Sequence, residues 1–147
     1  QWDAKERIID WSKTKNDQPH AVPVPLLAAE LIESITPNEW GWYFPSAKDP
    51  SKPVSHGTLY SFVWRQRDRG MIPYATNRDL RRTFKTLAGK AGVPKEIRDR
   101  LQNHALQDVS SKHYDRWHYM VEKRAGMAKW DKFVRAMLAK KRLKAAA

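Results

Sequence analysis

Two segments of this chain decide its fold: Asn77–Gly92, which reads NRDLRRTFKTLAGKAG, and Leu101–Tyr119, which reads LQNHALQDVSSKHYDRWHY. In the first segment, apolar residues recur at the spacing of one helix face, which predicts a helix over residues 78–90. The predicted core stripe consists of Leu80, Phe84, Leu87 and Ala91. A stripe of this kind indicates that the segment packs against the core of the protein.

The second segment begins at the end of another short helix. Pro94 opens this helix, which is predicted to run from Lys95 to about Gln102. His104 lies just past it, and Asp108 can cap a further helix that continues through Tyr114. The pattern therefore predicts a histidine and a tyrosine separated by a short connection and one helix.

The sequence before Asn77 predicts a small β-hairpin. Residues 6–11 and 20–24 read as short strands, and the polar turn between them carries Lys13 and Lys15. Further helices are predicted over 26–35, over 56–69 and from about 121 to the C-terminus. The predicted fold is α+β, mainly α-helical, with a small antiparallel sheet packed on a helical bundle in a single domain over residues 1–147.

The stretch from Asn38 to Pro53 is predicted to be irregular, because prolines flank a run of aromatic residues. The run consists of Trp40, Trp42, Tyr43 and Phe44. Such a cluster can stack on nucleic-acid bases, but packing beneath a long loop is the commoner role. Packing is therefore the expectation for these rings.

The charge balance of the chain favours a polyanionic partner. Lys and Arg number 28 against 16 Asp and Glu, a formal net charge of +12. Nucleic acid is the first expectation and an anionic membrane surface the second. No apolar run approaches the roughly 20 residues that span a bilayer. Seven tryptophans argue against a disordered chain, and the absence of cysteine excludes disulfides and fits a reducing cytoplasm.

Four residues supply the groups that cleavage of a phosphodiester needs. These groups are a positive charge for the non-bridging oxygens, a nucleophile, and a proton for the leaving oxygen. Arg81 can hold a phosphate oxygen, and His104 can either donate a hydrogen bond to the same phosphate or transfer a proton. Tyr114 can attack as an oxygen nucleophile, and Lys15 can protonate the departing hydroxyl. This chemistry requires no cofactor and no metal.

Each of the four residues also has an ordinary explanation. Arg81 alone is a typical surface or phosphate-contacting arginine, and His104 alone is a typical capping residue. Tyr114 alone is a core or boundary tyrosine, and Lys15 alone is a solvated loop lysine. Their order along the chain is what favours a common phosphate site.

That order resembles the catalytic domain of the tyrosine recombinases, of the phage integrase kind, from Lys13 to Trp130. The motifs that carry the resemblance are TKN at 14–16, PHAVPV at 19–24, DLRRTF at 79–84, LQNH at 101–104 and YDR at 114–116. They are similar to the family's lysine-bearing hairpin, its second arginine, its later histidine and its nucleophile. Trp130 resembles a tryptophan common in the helix that follows.

The resemblance implies a site-specific recombinase that works without a cofactor. Tyr114 would form a 3′-phosphotyrosine with double-stranded DNA, assisted by Arg81, His104 and Lys15. Arg78 stands where the family usually has a histidine, and an arginine supports phosphate binding better than proton transfer. Further DNA contacts are expected from Lys13, Arg82, Lys85 and Lys112. A homotetramer on attachment-type DNA sites is expected, in the cytoplasm of a bacterium or of a phage's bacterial host.

The resemblance also implies that this sequence is a truncated catalytic domain. The family's first catalytic arginine and its N-terminal DNA clamp precede the hairpin, and neither has a counterpart here. Losing a transition-state donor of that kind typically costs about 10²–10³ in rate, so the piece alone is expected to be inactive. Two alternatives stay open: a type IB topoisomerase, and a non-catalytic basic module that contacts only DNA phosphates.

Overall fold

A computed structural model of the protein describes residues 2–14, 19–104 and 118–146, with the side chains of 59 and 142–146 excepted. It is a mixed α+β structure, as predicted. None of the described helices is long and apolar enough to cross a membrane. The helix predicted to end at Tyr114 lies outside the described residues, as do Lys15 and Lys112.

The strands form one antiparallel sheet with the order β1-β2-β3. The sheet comprises β1 (Trp2–Asp3), β2 (Ile8–Trp11) and β3 (His20–Pro23). The predicted hairpin is β2 and β3, which pair with Ile9 opposite Val22. The additional strand β1 pairs with β2. It was not predicted, because two residues are too few to show the alternation that marks a strand.

Five helices follow the sheet in the described parts of the chain. They are α1 (Leu26–Glu33), α2 (His56–Asp68), α3 (Asn77–Lys90), α4 (Lys95–Leu101) and α5 (Met120–Ala146). Their contacts divide the chain into two compact units. The first unit comprises Gln1–Glu30 with Lys85–Ala147, and the second comprises Leu31–Phe84.

The first unit contains the buried core. Its buried apolar residues are Ala29, Ala88, Val93, Ile97 and Leu101. Helix α5 packs on α4 and on β3, and Gly126 of α5 lies next to Val93 and Ile97. A Cβ atom at Gly126 would lie 3.0 Å from Val93 Cγ1 and 3.2 Å from Ile97 Cγ2. A side chain at this position would force these neighbours to shift by a few tenths of an ångström.

A buried lysine joins α5 to the sheet. Lys123 is 8% exposed, and its Nζ donates to the carbonyl of Ala21 at 3.0 Å. Burial, with a further contribution from the charge of Arg100, lowers the pKa of Lys123. Because the stem of the side chain fills core space while its ammonium reaches a strand carbonyl, this residue both packs and orients the helix.

The second unit exposes much of its apolar surface, which corrects two predictions. Leu80, expected in the core stripe of α3, is 65% exposed, and the buried residue of that helix is Ala88. Trp40 and Phe44 are 51% and 58% exposed, so the predicted packing of the aromatic loop is wrong for these rings. The loop is ordered by hydrogen bonds of Asn38 rather than by burial of its aromatic residues. Asn38 Oδ1 accepts from the backbone N of Trp40 and of Trp42, and its Nδ2 donates to the carbonyl of Pro50.

Candidate active site

Helix α3 carries the predicted arginines in its first half. Asp79 organises the first turn, since its Oδ2 accepts from the backbone N of Thr76 at 2.8 Å and from the Thr76 hydroxyl at 2.7 Å. These bonds, the hydroxyl first, lower the pKa of Asp79. The arrangement satisfies a donor just before the helix, as in a capping box. Arg78 and Arg81 are three residues apart on this helix, so they lie on one side of it.

His104 takes its position from the way α4 ends. Asn103 adopts a left-handed conformation with φ of 51°, which asparagine tolerates better than most residues. The backbone N of Asn103 then donates to the carbonyl of Arg100, and that of His104 donates to the carbonyl of Asp99 at 2.9 Å. This pair of bonds is a Schellman motif. It turns the chain back so that His104 lies beside the last turns of its own helix.

The side chain of His104 contacts the same residue as its backbone. Its Nδ1 lies 3.0 Å from Asp99 Oδ1 and 3.2 Å from Lys85 Nζ. Lys85 Nζ also donates to Asp99 Oδ1 at 2.5 Å, and Lys95 Nζ donates to Asp99 Oδ2 at 3.0 Å. We call these four residues (Lys85, Lys95, Asp99 and His104) the His104 cluster.

Asp99 is the centre of the His104 cluster. It is 8% exposed, yet two ammonium groups and an imidazole surround its carboxylate. The hydrogen bond from Lys85, followed by that from His104, holds the pKa of Asp99 well below its usual range despite burial. Two lysines against one carboxylate leave one net positive charge, so the cluster suits an anion.

The donor and acceptor roles within the cluster restrict what the imidazole can present. A carboxylate only accepts and an ammonium only donates. When Nδ1 carries a proton it donates to Asp99, and when it does not it accepts from Lys85. In the second state, and in the doubly protonated ring, Nε2 carries a hydrogen. Nε2 is the nitrogen engaged by neither Asp99 nor Lys85, so in both states it is a donor for a ligand.

The predicted site residues therefore fall into three sets. Lys85 and His104 meet in the first unit, around Asp99. Arg78, Arg81 and Arg82 lie on α3 in the second unit. Lys13 is exposed just after β2, while Lys15, Lys112 and Tyr114 lie outside the described residues.

Two members of the cluster were missed by sequence reasoning. Lys95 and Asp99 are four residues apart in α4, a spacing that places opposite charges side by side on a helix. Asparagine after a helix is a known signal for a left-handed cap, so Asn103 could have indicated that His104 turns back towards Asp99. The partnership with Lys85 has no local signal, because it joins two different helices.

Within the described residues, no group of three or more His, Asp or Glu side chains has the arrangement of a metal site. Comparison with protein-family models, curated proteins and solved structures finds no match to this chain. The resemblance to tyrosine recombinases therefore stays a prediction from the motifs.

Proposed function

We propose that this chain is the catalytic part of an enzyme that breaks and rejoins double-stranded DNA in the manner of a tyrosine recombinase. The observation that supports the proposal best is the His104 cluster. Backbone and side-chain bonds to Asp99 hold the imidazole, and two lysines make its surroundings positive. In the states in which Nε2 carries a hydrogen, this oriented donor in positive surroundings suits a non-bridging oxygen of a phosphodiester.

The proposed reaction uses the phenolic oxygen of Tyr114 as nucleophile. A bond forms between this oxygen and the phosphorus while the bond from phosphorus to the 5′ oxygen breaks. Lys15 gives a proton to the 5′ oxygen, and the proton of the phenol passes to solvent. The 5′-hydroxyl of a partner strand then reverses the step, so that no ATP is needed. Arg81 and His104 stabilise the charge on the non-bridging oxygens, and Arg78 adds to the binding of the phosphate.

Asp99 is a positioning residue in this reaction, since it acts on the phosphate only through His104. An Asp99→Asn change keeps the size of the side chain but removes the charge that orients the ring. We expect it to slow cleavage while leaving the affinity for duplex DNA nearly unchanged, and Asp99→Glu to restore part of the rate. Replacing His104 by alanine removes the donor itself and is expected to cost about 10²–10³ in rate.

The test of the proposal is to trap the covalent intermediate. The proposed enzyme is incubated with a pool of nicked duplexes of randomised sequence, from which the short fragment that carries the new 5′-hydroxyl dissociates after cleavage. Wild-type protein should give a protein–DNA adduct on a denaturing gel. Tyr114→Phe should give none while binding duplex DNA as wild type does, and the control Tyr43→Phe should retain the adduct. An adduct that persists in Tyr114→Phe would show that the nucleophile is another residue.

The same experiments separate the alternatives. A type IB topoisomerase forms the same adduct but relaxes supercoiled plasmid without exchanging strands, whereas a recombinase also yields exchanged products. A non-catalytic basic module binds duplex DNA and gives no adduct with any variant. A homotetramer on DNA belongs to the recombinase proposal alone, and light scattering of the DNA complex measures it.

A further inference from the structure

A pocket in the second unit combines exposed aromatic rings with arginines. Its volume is about 500 Å³, which is within the range of small-ligand sites. It lies between α2 and the start of α3, and the residues that matter here are Tyr60, Tyr74, Asn77, Arg78, Asp79 and Arg82. All of them belong to the second unit.

The two tyrosines expose their rings to an unusual degree. Tyr60 is 61% exposed and Tyr74 is 81% exposed. The guanidinium of Arg67 lies 4.7 Å from the centroid of the Tyr74 ring, a cation–π contact that supports one face of the ring. A ring supported on one face and largely open otherwise is ready to accept a flat partner, because little side-chain freedom is lost when the partner stacks.

The charges at the pocket are incompletely neutralised. Arg78 makes no ion pair with any described residue, and Arg82 contacts Asp79 at 3.3 Å with its side chain 71% exposed. Asp79 is already bound by the backbone N and the hydroxyl of Thr76. The pocket therefore has two arginines, Arg78 and Arg82, and one carboxylate, that of Asp79, so its net charge is positive. The exposed ion pair between Arg82 and Asp79 is weak in water.

We infer that this pocket binds an unpaired nucleotide, with its base stacked on Tyr74 and its phosphate held by Arg78 and Arg82. A flat aromatic group joined to an anion is what an aromatic ring beside two arginines selects. A paired duplex offers the phosphate but keeps its bases stacked on one another. An acidic peptide offers the charge without the flat ring, so neither uses the whole pocket.

This inference rests on the proposed function, since it takes DNA as the partner. Arg78 belongs to both sites: it lines the pocket, and it lies one helical turn from Arg81 on α3. A nucleotide in the pocket would therefore neighbour the phosphate assigned to Arg81. The site would favour DNA in which a base next to the cleaved phosphate has left its stack.

The experiment compares two duplexes that differ by a single unpaired 2-aminopurine, whose fluorescence falls when it stacks. Wild-type chain should bind the duplex with the unpaired base about tenfold more tightly, because base–aromatic stacking contributes about that factor. The fluorescence should fall on binding. Tyr74→Ala should lose both effects and keep the affinity for the paired duplex within about twofold, whereas Tyr74→Phe should keep both.

Trp40→Ala is the control, because it removes another exposed aromatic ring of the same unit that does not line the pocket. Equal affinity for the two duplexes in wild type would overturn the inference, as would an equal loss in Trp40→Ala and Tyr74→Ala. Displacement of the unpaired base by a glutamate peptide would assign the pocket to acidic protein partners instead. If the Tyr114 adduct forms and both duplexes bind with the same affinity, only this inference fails. If neither duplex binds, the proposed function fails with it.

Discussion

The two units use their charged residues in different ways. In the first unit, cations face carboxylates: Lys85 and Lys95 bind Asp99, and Arg135 binds both Asp131 and Glu30. The second unit combines weakly paired arginines with exposed aromatic rings. Net charge alone therefore does not locate a DNA surface. Cations whose charge is matched by carboxylates, as that of Arg135 is, serve the fold, and cations in excess over the carboxylates beside them can bind phosphate.

The first unit should be the more sensitive to changes in packing, and Gly126→Val gives the largest expected effect. The new side chain meets Val93 and Ile97 where even a Cβ lies within 3.0–3.2 Å. We expect the free energy of unfolding to fall by up to about 3 kcal/mol, as for an overpacked core. Urea denaturation followed by tryptophan fluorescence measures it. Ala125→Val, on the exposed side of α5, is the control, and equal losses would contradict the close approach.

The buried carboxylate of the first unit should contribute the next largest effect. Asp99→Asn removes the charged partner of two lysines and should cost about 2 kcal/mol near neutral pH. Since the pKa of Asp99 is depressed in the folded state, its contribution is complete above the unfolded value of about 3.9 and is lost as the pH falls further. The difference between wild type and variant should therefore shrink only below about pH 4.

Chemical denaturation from pH 7 to pH 3 tests this prediction. Glu39→Gln is the control, because Glu39 is an exposed carboxylate in the second unit. A difference that stays constant across this range would mean that the charge of Asp99 is not what stabilises the fold.

The comparison of cations can be tested directly by the salt dependence of DNA binding. Arg78→Ala should lower the slope of log affinity against log salt by about 0.9, the value of one lost phosphate contact. Arg135→Ala should leave the slope nearly unchanged, because Arg135 Nε donates to Asp131 at 2.8 Å and Nη2 donates to Glu30 at 2.9 Å. Equal changes in the two variants would show that pairing within the fold does not decide which arginines contact DNA.

The smallest expected effect concerns Lys123. Lys123→Met keeps most of the buried volume but loses the hydrogen bond to the carbonyl of Ala21. The variant also avoids the unfavourable burial of an ammonium group. Because these two effects oppose each other, the free energy of unfolding at neutral pH should change by less than about 1 kcal/mol. The pKa of Lys123 is lowered by folding, so the unfolded chain binds the proton more tightly and wild-type stability rises as the pH approaches 10.5.

Denaturation at pH 7, 9 and 10.5 should therefore show that the free energy of unfolding of wild type rises relative to that of Lys123→Met as the pH rises. Lys132→Met, an exposed lysine on the same helix, corrects for the effect of removing one charge. A constant difference between wild type and Lys123→Met would mean that the ammonium is not desolvated.

Local signals in the sequence were reliable where one element decides the outcome. The hairpin, α3 and the start of α5 follow from alternation, helical spacing and capping residues within a few positions. The prediction failed at Leu80, which is exposed. The apolar spacing continues along the whole of α3, but a residue is buried only where another part of the protein packs on its turn of the helix. The prediction for the aromatic loop failed for a similar reason, since hydrogen bonds of Asn38 order the loop without burying its rings.

The candidate site was predictable in its residue types and less so in its partners. His104 was identified from its place after a helix, but Asp99 and Lys85 were not assigned to it. Their meeting depends on how α3 and α4 pack, which no short segment of sequence specifies. Lys85 was expected to contact DNA. It binds Asp99 and His104, and in the proposed site its ammonium also attracts the phosphate that His104 binds.

The left-handed turn at Asn103 has an evolutionary consequence. Five positions separate Asp99 from His104, and the histidine meets the carboxylate only because the chain reverses at one residue between them. Inserting or deleting a single residue there would break the pair of backbone bonds that places His104 beside Asp99. Proteins descended from a common ancestor with this one should therefore vary freely in the length of the aromatic loop but keep the spacing from the acid to the histidine unchanged.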